Sequence, residues 1–359
     1  MSPSGPSRTT AVEVRSPARL HVGMLAFGDQ SRRSFGGVGM MIDRPGVHLR
    51  VRRASRFEAR GSQAERALGF ARSCAQAWNL GDVGCTIEVL AAPPSHVGLG
   101  SGTQLALSVA AAMSHLFGPG TDGDDLPPPP AHPVEEDVEP VDHEWAFDTR
   151  ESQEFARITG RGRRSCVGVH GFSRGGLIVE AGRLPSPETA ARDFSPMVAR
   201  VRLPSAWRCV VIVGRDAVGL HGEEEAAAFT GLPPMEREVS AELARIALLE
   251  LLPAAVEARF AEFSSALAAY GRLAGRPFAS AAARMPHADA TAQLLELLGE
   301  LGVPGCAQSS WGPAVMACCD SLDAAGRLVE QFERLQLARH HDVVIARFDA
   351  QGASLRVVE

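Results

Sequence analysis

The chain has 359 residues, of which 45% are hydrophobic and 22% charged, and its formal net charge is −6. This length and composition are typical of a globular protein with one large or two medium domains. The negative charge argues against general nucleic-acid binding, although a local basic cluster would still bind a small polyanion. No apolar run approaches the roughly 18 residues of a transmembrane helix, so we expect no membrane span.

The seven cysteines lack C-x-x-C spacing, and several fall in apolar patterns. This favours free, buried thiols in a reducing cytoplasm over a disulfide framework or a zinc site. Residues 1–11 are expected to be a disordered leader, because the segment is rich in Ser and Pro and lacks an apolar core. Residues 118–143 combine prolines with acidic residues, which predicts a surface insertion. The pair Asp124–Asp125 in it is a candidate metal site, but acidic loops are usually only solvated.

Strand and helix patterns alternate along the first half of the chain. Period-2 apolar patterns and helical spacing of apolar residues distinguish the two. Strands are predicted at 18–24, 47–51, 84–90, 166–169 and 176–180. Helices are predicted at 62–78, from 101 onward and at 151–158. Between the last two strands, the glycine-rich segment 170–175 is predicted to be a turn.

The second half has strand patterns at 207–213, 315–319 and 342–348. One helix is predicted to present Val256, Phe260, Phe263 and Leu267 on a single face, and another spans 291–301. The mixed order lacks repeated βαβ units, which predicts an α+β fold rather than a Rossmann sheet. We therefore expect an N-terminal domain at 12–200 and a C-terminal domain at 201–359.

The segment 94–103 places three glycines between a predicted strand and a predicted helix. Glycine permits positive φ and a close backbone approach, and the start of a helix presents unpaired N–H groups and a positive dipole end. Ser101 and Gln104 have the spacing of a capping box. The pattern favours a phosphate site, with a purely structural turn as the alternative. The candidate binding residues are Gly98, Leu99, Gly100, Ser101, Gly102 and Thr103.

A second candidate site is the basic segment with Arg161, Arg163 and Arg164. Guanidinium groups bind phosphate or carboxylate bidentately, and Gly162 would let neighbouring arginines converge. A solvated basic loop is the alternative. His170, in the glycine-rich segment that follows, is the strongest single histidine candidate for a catalytic role.

A third candidate lies at the entry to the strand at 315–319. Small polar residues beside a tryptophan suit a pocket wall where a ring stacks, although the tryptophan is equally compatible with the core. The residues are Gln308, Ser309, Ser310 and Trp311.

The order of these motifs resembles the GHMP kinase superfamily, and within it the β-ribofuranosylaminobenzene 5'-phosphate synthase family. The resemblance rests on Arg-Leu-His-x-Gly at 19–23, on the glycine loop, on Gly-Arg-Gly-x-Arg-Ser-x-x-Gly at 160–168 and on Gln-Ser-Ser-Trp-Gly-Pro at 308–313. It implies a two-domain GHMP kinase-like fold, often a homodimer. It further implies transfer of phosphoribosyl from phosphoribosyl pyrophosphate to 4-aminobenzoate or 4-hydroxybenzoate, with release of CO2 and pyrophosphate, in tetrahydromethanopterin synthesis.

The same resemblance implies roles for the candidate residues. The glycine loop and the three arginines would hold the leaving pyrophosphate, together with Mg2+ whose protein ligands the sequence does not identify. Trp311, Gln308 and Ser309 would orient the benzoate ring. Arg19 or Arg174 would hold its carboxylate, and His21 lies in the same N-terminal motif as Arg19.

Two features of the chain depart from related patterns. Gly102 stands where the kinase loop usually has a second serine, and the acidic motif of ordinary phosphoribosyltransferases is absent. A small-molecule kinase with Asp43 as its acid or base remains an alternative. A protein that binds a phosphorylated metabolite without turnover is another, because a fold alone does not establish activity.

Overall fold

A computed structural model describes most of the chain. The described residues are 11–28, 32–118, 145–184, 194–215, 217, 219, 227–229, 231–279, 285 and 287–358. The leader at 1–10, most of the predicted insertion and the Asp124–Asp125 pair lie outside these residues.

Twelve strands in the described part form two sheets. The strands are β1 (Ala11–Met24), β2 (Gly37–Ala54), β3 (Glu58–Gly61), β4 (Gly84–Ala91), β5 (Trp145–Ala146), β6 (Leu177–Glu180), β7 (Met197–Val201), β8 (Arg208–Gly214), β9 (Cys306–Gln308), β10 (Val315–Cys319), β11 (His341–Arg347) and β12 (Ser354–Val358).

The α-helices alternate with these strands. They are α1 (Ala64–Ala77), α2 (Ser101–Phe117), α3 (Thr149–Ile158), α4 (Val167–Arg174), α5 (Arg237–Ile246), α6 (Leu252–Val256), α7 (Phe260–Gly275), α8 (Ala288–Glu300) and α9 (Leu322–Arg334). A π-helical turn at Ala247–Leu251 joins α5 to α6.

The larger sheet has the order β3-β4-β2-β1-β12-β5, with β6 paired to β2 and β7 paired to β6. Most of its strand pairs are antiparallel, and β1 pairs with β2 over nearly their full length. The pair of β3 and β4 is parallel. The smaller sheet has the order β11-β8-β10-β9. Both sheets combine with packed helices, so the predicted α+β class is confirmed.

Two large core clusters position the site. In the first, Val14 and Leu49 of the larger sheet pack with Ala71 of α1 and Leu105 of α2. In the second, Leu20 near the end of β1 packs with residues of α7 and β8. The start of α2 therefore lies beside the second half of β1, where the two sheets approach each other.

The C-terminal strand β12 belongs to the larger sheet, where it pairs antiparallel with the start of β1. Ala11, inside the leader predicted for 1–11, is the first residue of β1 and is buried opposite Val358. The division into domains at 200 stays a prediction, but the last strand of the chain completes the sheet built by the first.

Two predictions of secondary structure were wrong. The segment 166–175, predicted as a strand and a turn, forms helix α4. The glycines there allow close packing, because a Cβ at Gly171 would collide with the side chain of Met41. Val256 does not share a helix with Phe260, since it ends α6 and its side chain is largely exposed.

Most of the remaining predictions agree with the structure within a few residues, among them the strand at 315–319. Two strands were predicted too short, because the strand at 18–24 begins already at Ala11 and the strand at 47–51 extends from Gly37 to Ala54. All seven cysteines are free, and all but Cys306 are buried. Within the part of the chain that the structure describes, no helix has the length and hydropathy needed to cross a bilayer.

Candidate active site

The glycine loop Gly98–Thr103 is held by backbone and side-chain bonds from two distant segments. The backbone N–H of Arg19 donates to the carbonyl of Leu99 at 3.0 Å. The hydroxyl of Ser309 donates to the carbonyl of Gly98 at 2.8 Å. The motifs at 19–23 and 308–313 therefore contact the loop directly and fix its path.

Ser309 also connects the motifs at 19–23 and 308–313 to each other. The backbone N–H of His21 donates to Ser309 Oγ at 2.9 Å, and the N–H of Ser310 donates to the carbonyl of His21 at 2.9 Å. Ser309 itself is fully buried. It supports the wall of the site from behind and does not face a ligand.

Positive φ angles explain two of the loop glycines. Gly98 has φ +94°, and a Cβ there would collide with the carbonyl of Ser309. Gly100 has φ +68°, and a Cβ there would lie 3.1 Å from both Cβ and Nε of Arg19. Residues with a side chain adopt this region only at a cost. The loop conformation thus depends on glycine at both positions.

Helix α2 begins at Ser101, directly after the loop, as the phosphate interpretation requires. Its N-cap is Gly100, whose carbonyl accepts bonds from the backbone N–H groups of Thr103 (3.0 Å) and Gln104 (3.1 Å). The predicted capping box was wrong, because Ser101 is already helical and its side chain makes no capping bond. Instead, Gln104 Nε2 donates to the carbonyl of Gly168 at 2.8 Å and ties α2 to α4.

The basic segment faces the start of α2. Arg161 lies over the ring of Phe70, 4.8 Å from its centroid. Burial, together with the nearby charges of Arg66 and Arg163, lowers the pKa of Arg161 to about 10, and the group remains protonated at neutral pH. Arg163 is more exposed and lines the outer part of the same cleft.

Arg66 of α1 is a functional candidate that the sequence reasoning missed. Its Nη1 donates to Gln63 Oε1 at 2.7 Å and to Ser95 Oγ at 3.0 Å, and its guanidinium lies against Gly102. A Cβ at 102 would force this guanidinium to move. Only the apolar face of α1 was visible as a pattern, so the sequence offered no signal for what Arg66 faces.

No described carboxylate lies within ion-pair distance of Arg66, Arg161 or Arg163. Three guanidinium groups therefore converge on one cleft with a net positive charge. Such a cluster is unfavourable until an anion neutralises it, and it provides bidentate donors for phosphate or carboxylate.

His21 forms part of the floor of the cleft. It is 3% exposed, and no described group bonds to its Nε2. Burial, with a smaller effect of the Arg19 charge, lowers its pKa to about 3. The imidazole is therefore neutral at physiological pH, and its Nε2 is buried beside Gly37.

An aromatic wall also lines the cleft. The rings of Trp311 and Phe229 meet edge to face at 5.3 Å, and Phe278 contacts Trp311 at 5.2 Å. Arg164 lies over the ring of Phe229, 4.6 Å from its centroid. Trp311 is 7% exposed, so it belongs to the core and to the wall at once. Phe229 is a second residue that the sequence reasoning did not identify.

Together these groups enclose an open cleft of about 470 Å³, within the usual range for small-molecule sites. It is lined by Arg19, His21, Met24, Arg66, His96, Gly98, Leu99, Gly100, Ser101, Gly102, Thr103, Gly160, Arg161, Gly162, Arg163, Arg164, Ser165, Phe229, Ser310, Trp311 and Gly312.

Several predicted site residues lie elsewhere. His170 points away from the cleft and its Nε2 bonds to the carbonyl of Ser195 at 2.8 Å, while burial lowers its pKa. Arg174 is exposed at the end of α4 and donates to Thr149 Oγ1 at 3.2 Å. Gln308 packs against Gly312 behind the wall. None of these three residues belongs to the described lining of the cleft.

Asp43, the acid or base required by the kinase alternative, is also outside the cleft. Its carboxylate accepts a bond from the backbone N–H of Arg347 at 2.8 Å and pairs with Arg44. Among the described cleft residues there is no carboxylate, and the described part of the chain contains no cluster of His, Cys, Asp and Glu fit for a metal ion. These residues do not form a dedicated Mg2+ site.

Solved structures with the same architecture show the fold. The chain superimposes on homoserine kinase from Cytophaga hutchinsonii with a TM-score of 0.61 at 15% identity, over 99% of this chain and 100% of that one. For mevalonate diphosphate decarboxylase from Enterococcus faecalis the TM-score is 0.59 at 11% identity, over 97% and 99%. The predicted GHMP kinase-like fold is confirmed.

Sequence comparison agrees with the motifs. The family model for the GHMP kinases N terminal domain matches residues 65–128. The chain is 30% identical over 325 residues to beta-ribofuranosylphenol 5'-phosphate synthase of Archaeoglobus fulgidus, covering 86% of this chain and 88% of that protein. It is 25% identical over 338 residues to the Methanothermobacter thermautotrophicus protein of the same name, covering 88% and 92%. The chain therefore belongs to the beta-ribofuranosylphenol 5'-phosphate synthase family.

Proposed function

We propose that this chain is an enzyme that transfers phosphoribosyl from phosphoribosyl pyrophosphate to 4-hydroxybenzoate or 4-aminobenzoate. The products are a β-ribofuranosylbenzene 5'-phosphate that keeps the 4-hydroxy or 4-amino group, CO2 and pyrophosphate, and the names of the relatives support this class of product. The observation that carries the proposal is a single cleft lined both by a cationic side, formed by Arg66, Arg161 and Arg163, and by the aromatic wall.

The chemistry divides between the two sides. The bond between ribose C1 and the pyrophosphate oxygen breaks, and its electron pair leaves with pyrophosphate. The ring carbon that carries the carboxylate bonds to C1, and loss of CO2 returns the electron pair of the broken C–C bond to the ring. No proton leaves the ring, so the step needs no general base. This agrees with a cleft whose described residues include no carboxylate.

The leaving group collects negative charge as the C1–O bond breaks. Donors fixed around it before the reaction lower the barrier, because they need no reorganisation. We assign this role to the loop Gly98–Thr103 and the N-terminal end of α2, which lie on the cationic side of the cleft. The hydrogen bonds from Arg19 and Ser309 to the loop keep these donors in place.

The aromatic wall suits the benzoate. Trp311 and Phe229 present an apolar surface, and Arg164, stacked on Phe229, is placed to pair with the carboxylate. We assign Arg164 to this anion in place of Arg174, which lies outside the cleft. Alignment of the ring with C1 is then the main contribution of this side.

Mg2+ remains part of the proposal as a companion of the pyrophosphate group. Because the described cleft residues provide no carboxylate ligand, we derive no catalytic step through the ion. We further propose that the chain is a cytoplasmic homodimer and that its product enters tetrahydromethanopterin synthesis.

The test is turnover with carboxyl-labelled acids. The purified chain is incubated with phosphoribosyl pyrophosphate, Mg2+ and either labelled 4-hydroxybenzoate or labelled 4-aminobenzoate, and labelled CO2 is counted. Release from at least one acid is expected. No release from either acid contradicts the proposal. Turnover of ATP with a sugar acceptor would identify a kinase, and ligand binding without turnover would identify a metabolite-binding protein.

A further inference from the structure

We infer that Arg66 and Arg161 form a clamp for the pyrophosphate group at the first turn of α2. This inference rests on the proposed function and assigns one anion of the donor substrate to one pair of side chains. Arg66 comes from α1 and Arg161 from the loop after α3, so the clamp closes over α2 from two separate elements.

The two guanidinium groups meet above the same residue. That of Arg66 lies against Gly102, and Arg161 Nη1 would be 3.6 Å from a Cβ at this glycine. Gly102 is the second residue of α2, where backbone N–H groups have no partner within the helix. An anion placed here would receive charged bonds from both arginines and backbone bonds from the helix.

Both arginines are held in position without neutralisation of their charge. Arg66 Nη1 is fixed by Gln63 and Ser95, which are uncharged. Arg161 rests on Phe70, and its buried Nε has no hydrogen-bond partner among the described residues. Phe70 is one turn beyond Arg66 on α1, so a single helix positions both groups. This arrangement is preorganised for a ligand.

The two anionic groups of phosphoribosyl pyrophosphate, the pyrophosphate and the 5'-phosphate, differ in charge. Pyrophosphate carries more negative charge than a phosphate monoester, and it gains charge during the reaction. Two guanidinium groups beside the positive end of a helix match it better than the 5'-phosphate. The carboxylate of the acceptor is served by Arg164 at the aromatic wall. Arg66 and Arg161 are therefore assigned to the leaving group.

Calorimetric titration of the full chain with inorganic pyrophosphate and, separately, with ribose 5-phosphate tests this assignment. Arg66→Met should weaken pyrophosphate binding by about 10- to 100-fold, as expected for the loss of a charged hydrogen-bonded contact. It should leave ribose 5-phosphate binding within about twofold. Arg66→Lys should recover part of the loss. Arg72→Met, on the exposed face of the same helix, is the matched control and should bind both ligands like the wild type.

A purely structural role of Arg66 predicts a different pattern. Ser95→Ala removes one bond that positions the guanidinium but keeps its charge, and it should weaken pyrophosphate binding less than Arg66→Met does. Equal pyrophosphate affinity in the wild type and Arg66→Met overturns the clamp, as does a selective loss of ribose 5-phosphate binding or a wild type that does not bind pyrophosphate. If the wild type releases no CO2 but binds pyrophosphate through Arg66, the proposed function fails and the clamp stands.

Discussion

The hydroxyl of Ser309 donates a 2.8 Å hydrogen bond to the carbonyl of Gly98, 211 positions earlier in the chain. The same oxygen accepts the backbone N–H of His21. One buried side chain therefore joins the glycine loop to the two segments around it. Its position makes it a support of the site and not a group in contact with substrate.

Ser309→Ala should destabilise the protein and loosen the loop. The change leaves the Gly98 carbonyl and the His21 N–H without their partner, and each buried unsatisfied group costs about 1–3 kcal/mol. Urea unfolding should show a loss of about 2–6 kcal/mol for the two groups together, and KM for phosphoribosyl pyrophosphate should rise. Ser205→Ala, at an exposed position, is the control. Equal stability of the two variants would contradict this role of Ser309.

Gly100→Ala should damage the loop more than the same change in an open helix. The added Cβ would occupy a backbone conformation with positive φ and press on Arg19, at a cost of about 1–3 kcal/mol. Pyrophosphate affinity, measured by calorimetry on the folded variant, should fall. Gly69→Ala in α1, where nothing lies within 4 Å, should leave binding intact and raise stability by about 0.5–1 kcal/mol. Unchanged pyrophosphate affinity in folded Gly100→Ala would remove the loop from the site.

Arg161→Met should reduce kcat/KM more than Arg163→Met. Arg161 is closer to the start of α2 and more buried, so its contact with the leaving group is better shielded from water. We expect a loss of about 2–4 kcal/mol in transition-state stabilisation for Arg161 and a smaller one for Arg163. Steady-state kinetics on the two variants and on Arg150→Met, an exposed control on α3, measure the difference. Wild-type turnover in Arg161→Met would contradict a role of Arg161 in catalysis and favour the alternative of a basic loop without a function in the site.

Glu180 should make stability depend on pH. Burial raises the pKa of its carboxyl from 4.5 to about 7, although bonds from Ser165, Cys166 and Ser195 oppose this. The folded state then holds a proton that the unfolded state releases between pH 4.5 and 7. The contribution of this group to stability is therefore complete below about pH 4.5 and is lost as pH rises toward 7.

The difference in unfolding free energy between the wild type and Glu180→Gln isolates this effect. It should fall by about 3 kcal/mol as pH rises through that window. Glu296→Gln, an exposed control, should show no such trend relative to the wild type. A pH-independent difference for Glu180→Gln would show that the carboxyl titrates at the same pH in both states.

Local patterns predicted strand β4, the glycine loop after it and the start of α2, because glycine spacing and helical periodicity act over short distances. The capping box failed at the same place, since Ser101 and Gln104 have the right spacing but the left-handed turn at Gly100 makes glycine the N-cap. Helix α4 was missed for a tertiary reason. The carboxylate of Glu180 accepts the N–H of Cys166, and Gly171 lets the helix pack on Met41.

The candidate site could likewise be predicted only where the signal is local. Arg161 and Trp311 were found from residue type and local motif, and both line the cleft. His170 was expected there, but the orientation of α4 turns its ring toward the carbonyl of Ser195. Arg66 and Phe229 were not found, because their contacts with the cleft depend on how separate elements pack and leave no local pattern.

One time course tests the central claim most directly. The wild type is given phosphoribosyl pyrophosphate and a carboxyl-labelled benzoate, and labelled CO2 and pyrophosphate are measured in the same samples. Equal amounts of the two, absent when the benzoate is omitted, are the predicted result. Pyrophosphate without CO2, or neither product with both acids, would contradict decarboxylating phosphoribosyl transfer in this cleft.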